Sequence, residues 1–167
     1  MKGRRFDGSL ALAVSCRCRW GYPQVLLCDP LGRKGPFPTS FWLTCPHLDR
    51  VAALLEAQGG VRELEVFLEA HRDRWRAYQV RQVLFRQGLL GRRGTFLRRF
   101  RPAFWQGLCG GVGGIRLGRQ VHVKCLHLQA AYWLGQGDHP AAAWLAERLK
   151  PLSCDDPENR PCGGGFS

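Results

Sequence analysis

The chain has no run of about eighteen consecutive apolar residues, so no segment of it reads as a membrane-spanning helix. It is also poor in acid, with 13 Asp and Glu against 25 Lys and Arg, a balance of +12 that calls for an acidic partner wherever the cations cluster. No Cys-x-x-Cys pair occurs, which removes the zinc-finger spacing, and no internal repeat marks a solenoid. What it does not lack is core material. At 167 residues with 45% hydrophobic and 11% aromatic content, it is neither collagenous nor wholly disordered, and it suits one globular domain.

The first residues imitate an export leader: Met1 to Arg5 is basic, Leu10 to Val14 is apolar, and Cys16 follows as a lipoprotein cysteine would. The apolar stretch, about seven residues, is at the short limit for a secretory core. Leu10, Leu12 and Val14 alternate as a strand would instead. A cytoplasmic protein is expected, and in a reducing compartment the eight cysteines, 16, 18, 28, 45, 109, 125, 154 and 162, read as metal ligands, nucleophiles or buried small hydrophobes rather than disulfides.

An α+β fold is expected: a small N-terminal antiparallel sheet packed by four or so helices in a single domain, residues 1–152. Strands fall within 10–45, where Leu10 to Cys18, Val25 to Cys28 and Thr39 to Thr44 are separated by turn residues. Residues 46–152 are mainly helical. Pro46 suits a first helical position capped by Thr44 or Cys45, and Gly59-Gly60 stops that helix. Leu64, Leu68, Trp75, Tyr78 and Phe85 predict one long helix from Val61 to about Gln87. A glycine-rich loop at 107–118 leads to a buried helix starting near Val121 or Val123, and Asp138 is the expected cap of the last helix. Residues 153–167 form a Pro/Gly-rich tail, ordinarily mobile.

Three blocks carry a resemblance: Cys18-Arg-Trp-Gly-Tyr-Pro-Gln-Val; Gly35-Pro-Phe-Pro-Thr-Ser-Phe-Trp-Leu-Thr-Cys-Pro46; and Gly113-Gly-Ile with Val123-Lys-Cys-Leu-His-Leu128 and Gly137-Asp-His-Pro140. In these the chain resembles the bacterial proteins grouped as domain of unknown function 501. That resemblance implies a compact, cytoplasmic bacterial protein and no particular reaction. The chain departs from the pattern at His139, where asparagine is expected, and in its arginine-rich middle, so no role at either place carries over.

Three cysteines have a ligand-type neighbour two residues on: Cys16-Arg-Cys18, Cys45-Pro-His47 and Cys125-Leu-His127. Thiolate and imidazole suit zinc, and thiolate alone suits an iron–sulfur cluster. The expected ligands are Cys18, Cys45 and Cys125, which lie in the resembling blocks, and Cys162, delivered by the tail, with His127 as substitute. Buried thiols without a metal remain the plain alternative. A thiol-dependent enzyme is another, with Cys45 or Cys125 as nucleophile and His47 or His127 as base, because a helix start favours thiolate. Residues two apart on a regular helix point about 200° apart, so Cys125 and His127 share a site only if the helix begins between them.

Between His71 and Arg101 lie ten arginines and one acid, a local balance of +9. Interleaved with Trp75, Tyr78, Phe85, Phe96 and Phe100, they fit phosphate contact and base stacking, so a nucleic acid or another polyanion is the rival partner, with Arg92, Arg93, Arg98, Arg99 and Lys124 as contacts. Ordinary helix propensity and core packing explain the same residues without a ligand. The glycine run is not a Walker A loop or a dinucleotide fingerprint, though its N–H groups offer an anion site.

Overall fold

The structure is a computed structural model and describes residues 6–157 and Cys162. The basic start at residues 1–5 lies outside the described residues. The fold is α+β, as expected, with more helices than the sequence pattern separates. Strands β1 (Ala11–Arg17), β2 (Pro23–Cys28) and β5 (Phe41–Leu43) make an antiparallel sheet in the order β1-β2-β5. The short β3 (Leu31–Gly32) and β4 (Gly35–Pro36) form a separate ribbon. Seven helices follow: α1 (Pro46–Ala57), α2 (Gly60–Glu69), α3 (Arg72–Leu90), α4 (Arg92–Phe100), α5 (Pro102–Gly107), α6 (Leu126–Gln136) and α7 (Ala142–Leu149).

The core lies between the sheet and α6, whose Leu126, Leu128, Ala130, Ala131 and Tyr132 are buried with Val25, Phe41, Leu64, Leu68, Trp75 and Tyr78. Helix and sheet approach closely because Gly135 faces Phe41, where a Cβ would come within 2.4 Å of the ring. The Phe41 ring packs edge-on against Tyr132, centroids 5.2 Å apart.

Four local expectations are corrected. The long helix from Val61 is two helices, α2 and α3, broken at Ala70 and His71. Residues 121–125 are not helical, because carboxylates of the neighbouring helix take their N–H groups: Val121 N donates to Glu69 Oε1 (3.1 Å) and Val123 N to Glu65 Oε1 (3.1 Å). Asp138 does not cap α7 but pairs with Arg81 at 2.9 Å, and buried His139 accepts the Ala141 N–H at 3.0 Å in its place. The glycine run turns its carbonyls, not an N–H cradle, to a cation: Arg86, fully buried, donates to Leu108 O (3.2 Å), Gly110 O (2.6 Å) and Gly111 O (2.9 Å).

Candidate functional site

Two groups of chemically able side chains form along α1, one at its start and one spanning Asp49 to Glu56. At its start, Cys45 is the N-cap residue before Pro46 and is buried. Cys18 stands in the turn after β1, whose closure by Cys18 N to Tyr22 O (2.9 Å) and Gly21 N to Cys18 O (2.9 Å) needs the positive φ of Gly21. The segment after α7 is strapped across both. His47 Nε2 meets Pro151 O at 2.7 Å, and Gln24 Nε2 donates to Leu152 O. Trp20 Nε1 and Arg19 donate to Cys154 O at 2.8 and 3.1 Å.

That strap buries Cys154 and brings its thiol close enough to act on that of Cys162. Burial and then the thiols of Cys154, Cys45 and Cys18 together push the Cys162 thiol up. Cys16, whose Sγ faces Gln24 Oε1 at 3.6 Å, is likewise pushed up by burial and then by Cys18 and Cys45. Every described cysteine is a free thiol. Of the expected ligands, Cys18 and Cys45 thus act on Cys162, as does Cys154, but among the described residues no three of these four sulfurs lie within 4.8 Å of one another.

Cys125 and His127 are not with them. They form a second, tighter group along α1, in which the Cys125 sulfur, a His127 ring nitrogen and a Glu56 oxygen all lie within 4.8 Å. Helix α6 begins at Leu126, with Cys125 as its extended N-cap residue (φ −167°, ψ 157°), so the helix does start between the two side chains. Glu56 Oε1 accepts from Leu126 N (2.6 Å) and His127 Nδ1 (2.9 Å), and His127 Nε2 donates to Asp49 O (3.1 Å). Asp49 and Glu56, two helical turns apart on α1, therefore hold both ring nitrogens as donors.

The electrostatics follow from that arrangement. The Cys125 sulfur beside the ring, first, and then the nearby carboxylates outweigh burial and raise His127 to about 9. For Cys125 burial is the largest influence and opposes ionisation, but His127 and the Leu128 N–H outweigh it and the thiol ends below its ordinary value. The group is a thiol of lowered pKa beside an imidazole of raised pKa, anchored by carboxylate. Such chemistry activates a nucleophile or ligates a metal, here at a sulfur whose residue is only 6% exposed.

Residues 14–147 match the family described as Protein of unknown function (DUF501). The chain belongs to that family. Cys18, Cys45, Cys125 and His127 lie inside the stretch matched to the family, and Cys154 and Cys162 lie beyond it. No curated protein and no solved structure matches the chain.

The remaining candidates are dispersed. Arg92, Arg93, Arg98 and Arg99 are exposed on α4, where Arg93 pairs with Asp29 at 2.8 Å. Lys124, just before the N-cap of α6, is turned to the glycine run, its Nζ donating to Gly113 O at 3.3 Å. Cys28 is a plain buried thiol, pushed by burial to about 12. Among the described residues no helix is long and apolar enough to cross a membrane.

Proposed function

We propose that this chain is a metalloprotein whose centre, a zinc ion or an iron–sulfur cluster, is held by Cys18, Cys45, Cys154 and Cys162. What supports the reading is that free thiols from the hairpin turn, the start of α1 and the C-terminal segment all bear on the Cys162 thiol; among the described residues no three of these sulfurs lie within 4.8 Å of one another, so the ion is what would draw them to ligand distance. Clustered thiols disfavour one another's ionisation, and a bound cation reverses that sign by stabilising every thiolate at once. Four protein sulfurs leave no open coordination position, so the centre is structural: it ties the C-terminal segment to the hairpin turn and to α1. The test is metal analysis and a visible spectrum of untagged protein prepared without air. Stoichiometric zinc in colourless protein supports a single ion, a brown protein with equimolar iron and sulfide supports a cluster, and protein free of zinc and iron overturns the reading.

A second reading concerns α4, where Phe96 and Phe100 are 56% and 60% exposed, with ring centroids 5.1 Å apart and Arg99 5.5 Å over Phe100. Exposed rings among arginines support stacking and phosphate contact with a single-stranded nucleic acid. Binding that weakens steeply with salt, and less steeply after Arg92, Arg93, Arg98 and Arg99 become glutamine, supports it. Absence of binding at low salt removes it.

A further inference from the structure

The start of α3 and the loop 115–122 enclose a cavity of about 230 Å³. Its walls carry Arg72, Arg76, Arg116 and Arg119, against a single carboxylate, Asp73. Arg72 is committed to Glu69 at 2.6 Å. Arg76, Arg116 and Arg119 have no carboxylate partner among the described residues. Three guanidinium groups without counter-charge around one concavity repel each other, and an anion between them relieves that repulsion.

Gln79 supplies an independent sign. It lines the same cavity and is 5% exposed. Its Oε1 accepts the Val112 N–H at 2.6 Å, which fixes the amide's orientation and leaves Nε2 as a buried donor without a partner. A buried donor is ordinarily paired, so one at the wall of a basic cavity indicates an acceptor that arrives with a ligand. The first turn of α3 also borders the cavity and adds the positive end of a 19-residue helix.

We infer that this cavity binds a small phosphorylated compound, with Arg76, Arg116 and Arg119 holding the phosphate and Gln79 Nε2 donating to one of its oxygens. Guanidinium forks match phosphate oxygens in pairs, whereas a monovalent carboxylate leaves most of the donors unused. The inference is independent of the cysteine centre and of α4.

Isothermal titration at low salt with three probes, inorganic phosphate, pyrophosphate and adenosine monophosphate, tests it on the full chain. Saturable binding of at least one probe is expected, and tightest binding of inorganic phosphate or of the organic phosphate tells the two sources apart. Arg116→Gln with Arg119→Gln, both exposed, should weaken binding about tenfold or more while folding normally. Gln79→Glu, which keeps the acceptor for Val112 and removes the donor, should weaken it further, and Arg98→Gln with Arg99→Gln on α4 should leave it unchanged. No saturable binding of any of the three probes, or binding lost equally in the α4 variant, overturns the inference.

Discussion

Two histidines, twelve residues apart, titrate in opposite senses because one meets charges and the other meets none. His139 is buried among Trp75 and Tyr78, gives its Nε2 proton to Gln129 Oε1 at 3.0 Å, and is held by burial at about 3. Its folded value lies below its ordinary 6.5, so as the pH falls beneath 6.5 the unfolded chain takes up a proton that the folded chain refuses. Stability should therefore drop toward acid by up to about 1.4 kcal/mol per pH unit until the folded value is reached. His139→Asn keeps a donor and an acceptor without a titrating group, and denaturant unfolding of that variant should lose the part of the acid slope between pH 6.5 and 4 that His139 contributes. His127 runs the other way. Its folded value, about 9, lies above 6.5, so its contribution is complete below pH 6.5 and is withdrawn as the pH rises through 9. His127→Gln should cost about 1.5 kcal/mol at pH 6, the low end for a charged hydrogen bond since the ring is partly open to water, and much less at pH 10. An equal cost at both values would show that the ring acts only by packing. Neither environment was fully legible in the sequence: His139 owes its burial to α3, and His127 owes its raised value first to Cys125, two residues away, and then to Glu56 and Asp49 on α1, which no local pattern joins to it.

At the scale of elements, the strands and α1 were readable because turn residues and Pro46 bound them, whereas the middle was not. The break between α2 and α3 contains neither glycine nor proline, and the apolar stripe continues across it, so periodicity alone joins the two helices. Residues 121–125 have helix-compatible side chains, yet Glu65 and Glu69 compete successfully for their N–H groups. The arginine count was legible, but not its division of labour. Arg86 is an internal strut, and the glycine run is its socket. Gly111 admits no side chain there, since a Cβ would lie 1.8 Å from Gln79 Oε1. Two losses should follow, both measurable by urea unfolding. Arg86→Met leaves the carbonyls of Leu108, Gly110 and Gly111 without their donor and should cost about 3 kcal/mol or more. Gly111→Ala should cost about 1–3 kcal/mol through displacement of the Gln79 amide. An Arg86→Met variant as stable as the parent would mean that the loop is held by its own turns.

For the molecule as a whole, the segment after α7 decides how the β1–β2 turn and the start of α1 are tied together. Its approach to the hairpin turn runs through backbone carbonyls of Pro151, Leu152 and Cys154, which accept from side chains of His47, Gln24, Arg19 and Trp20. Backbone acceptors leave no trace in composition, and for that reason Cys154 read as part of a loose tail. If a metal completes this junction, its removal should act on one set of thiols and spare another. Metal-bound sulfur is shielded, so Cys18, Cys45, Cys154 and Cys162 should alkylate slowly until a chelator is added and quickly afterwards, with a fall in thermal midpoint. Deleting residues 153–167 should release the metal and have the same effect without chelator. Cys125, held by His127 and Glu56, and Cys28, buried in β2, should label at rates that chelator does not change. Mass spectrometry of alkylated peptides with and without chelator reads all six sites in one experiment. Fast labelling of Cys45 that ignores chelator would sink the metal centre, and chelator-dependent labelling of Cys125 would move the metal to the Glu56, Cys125 and His127 group.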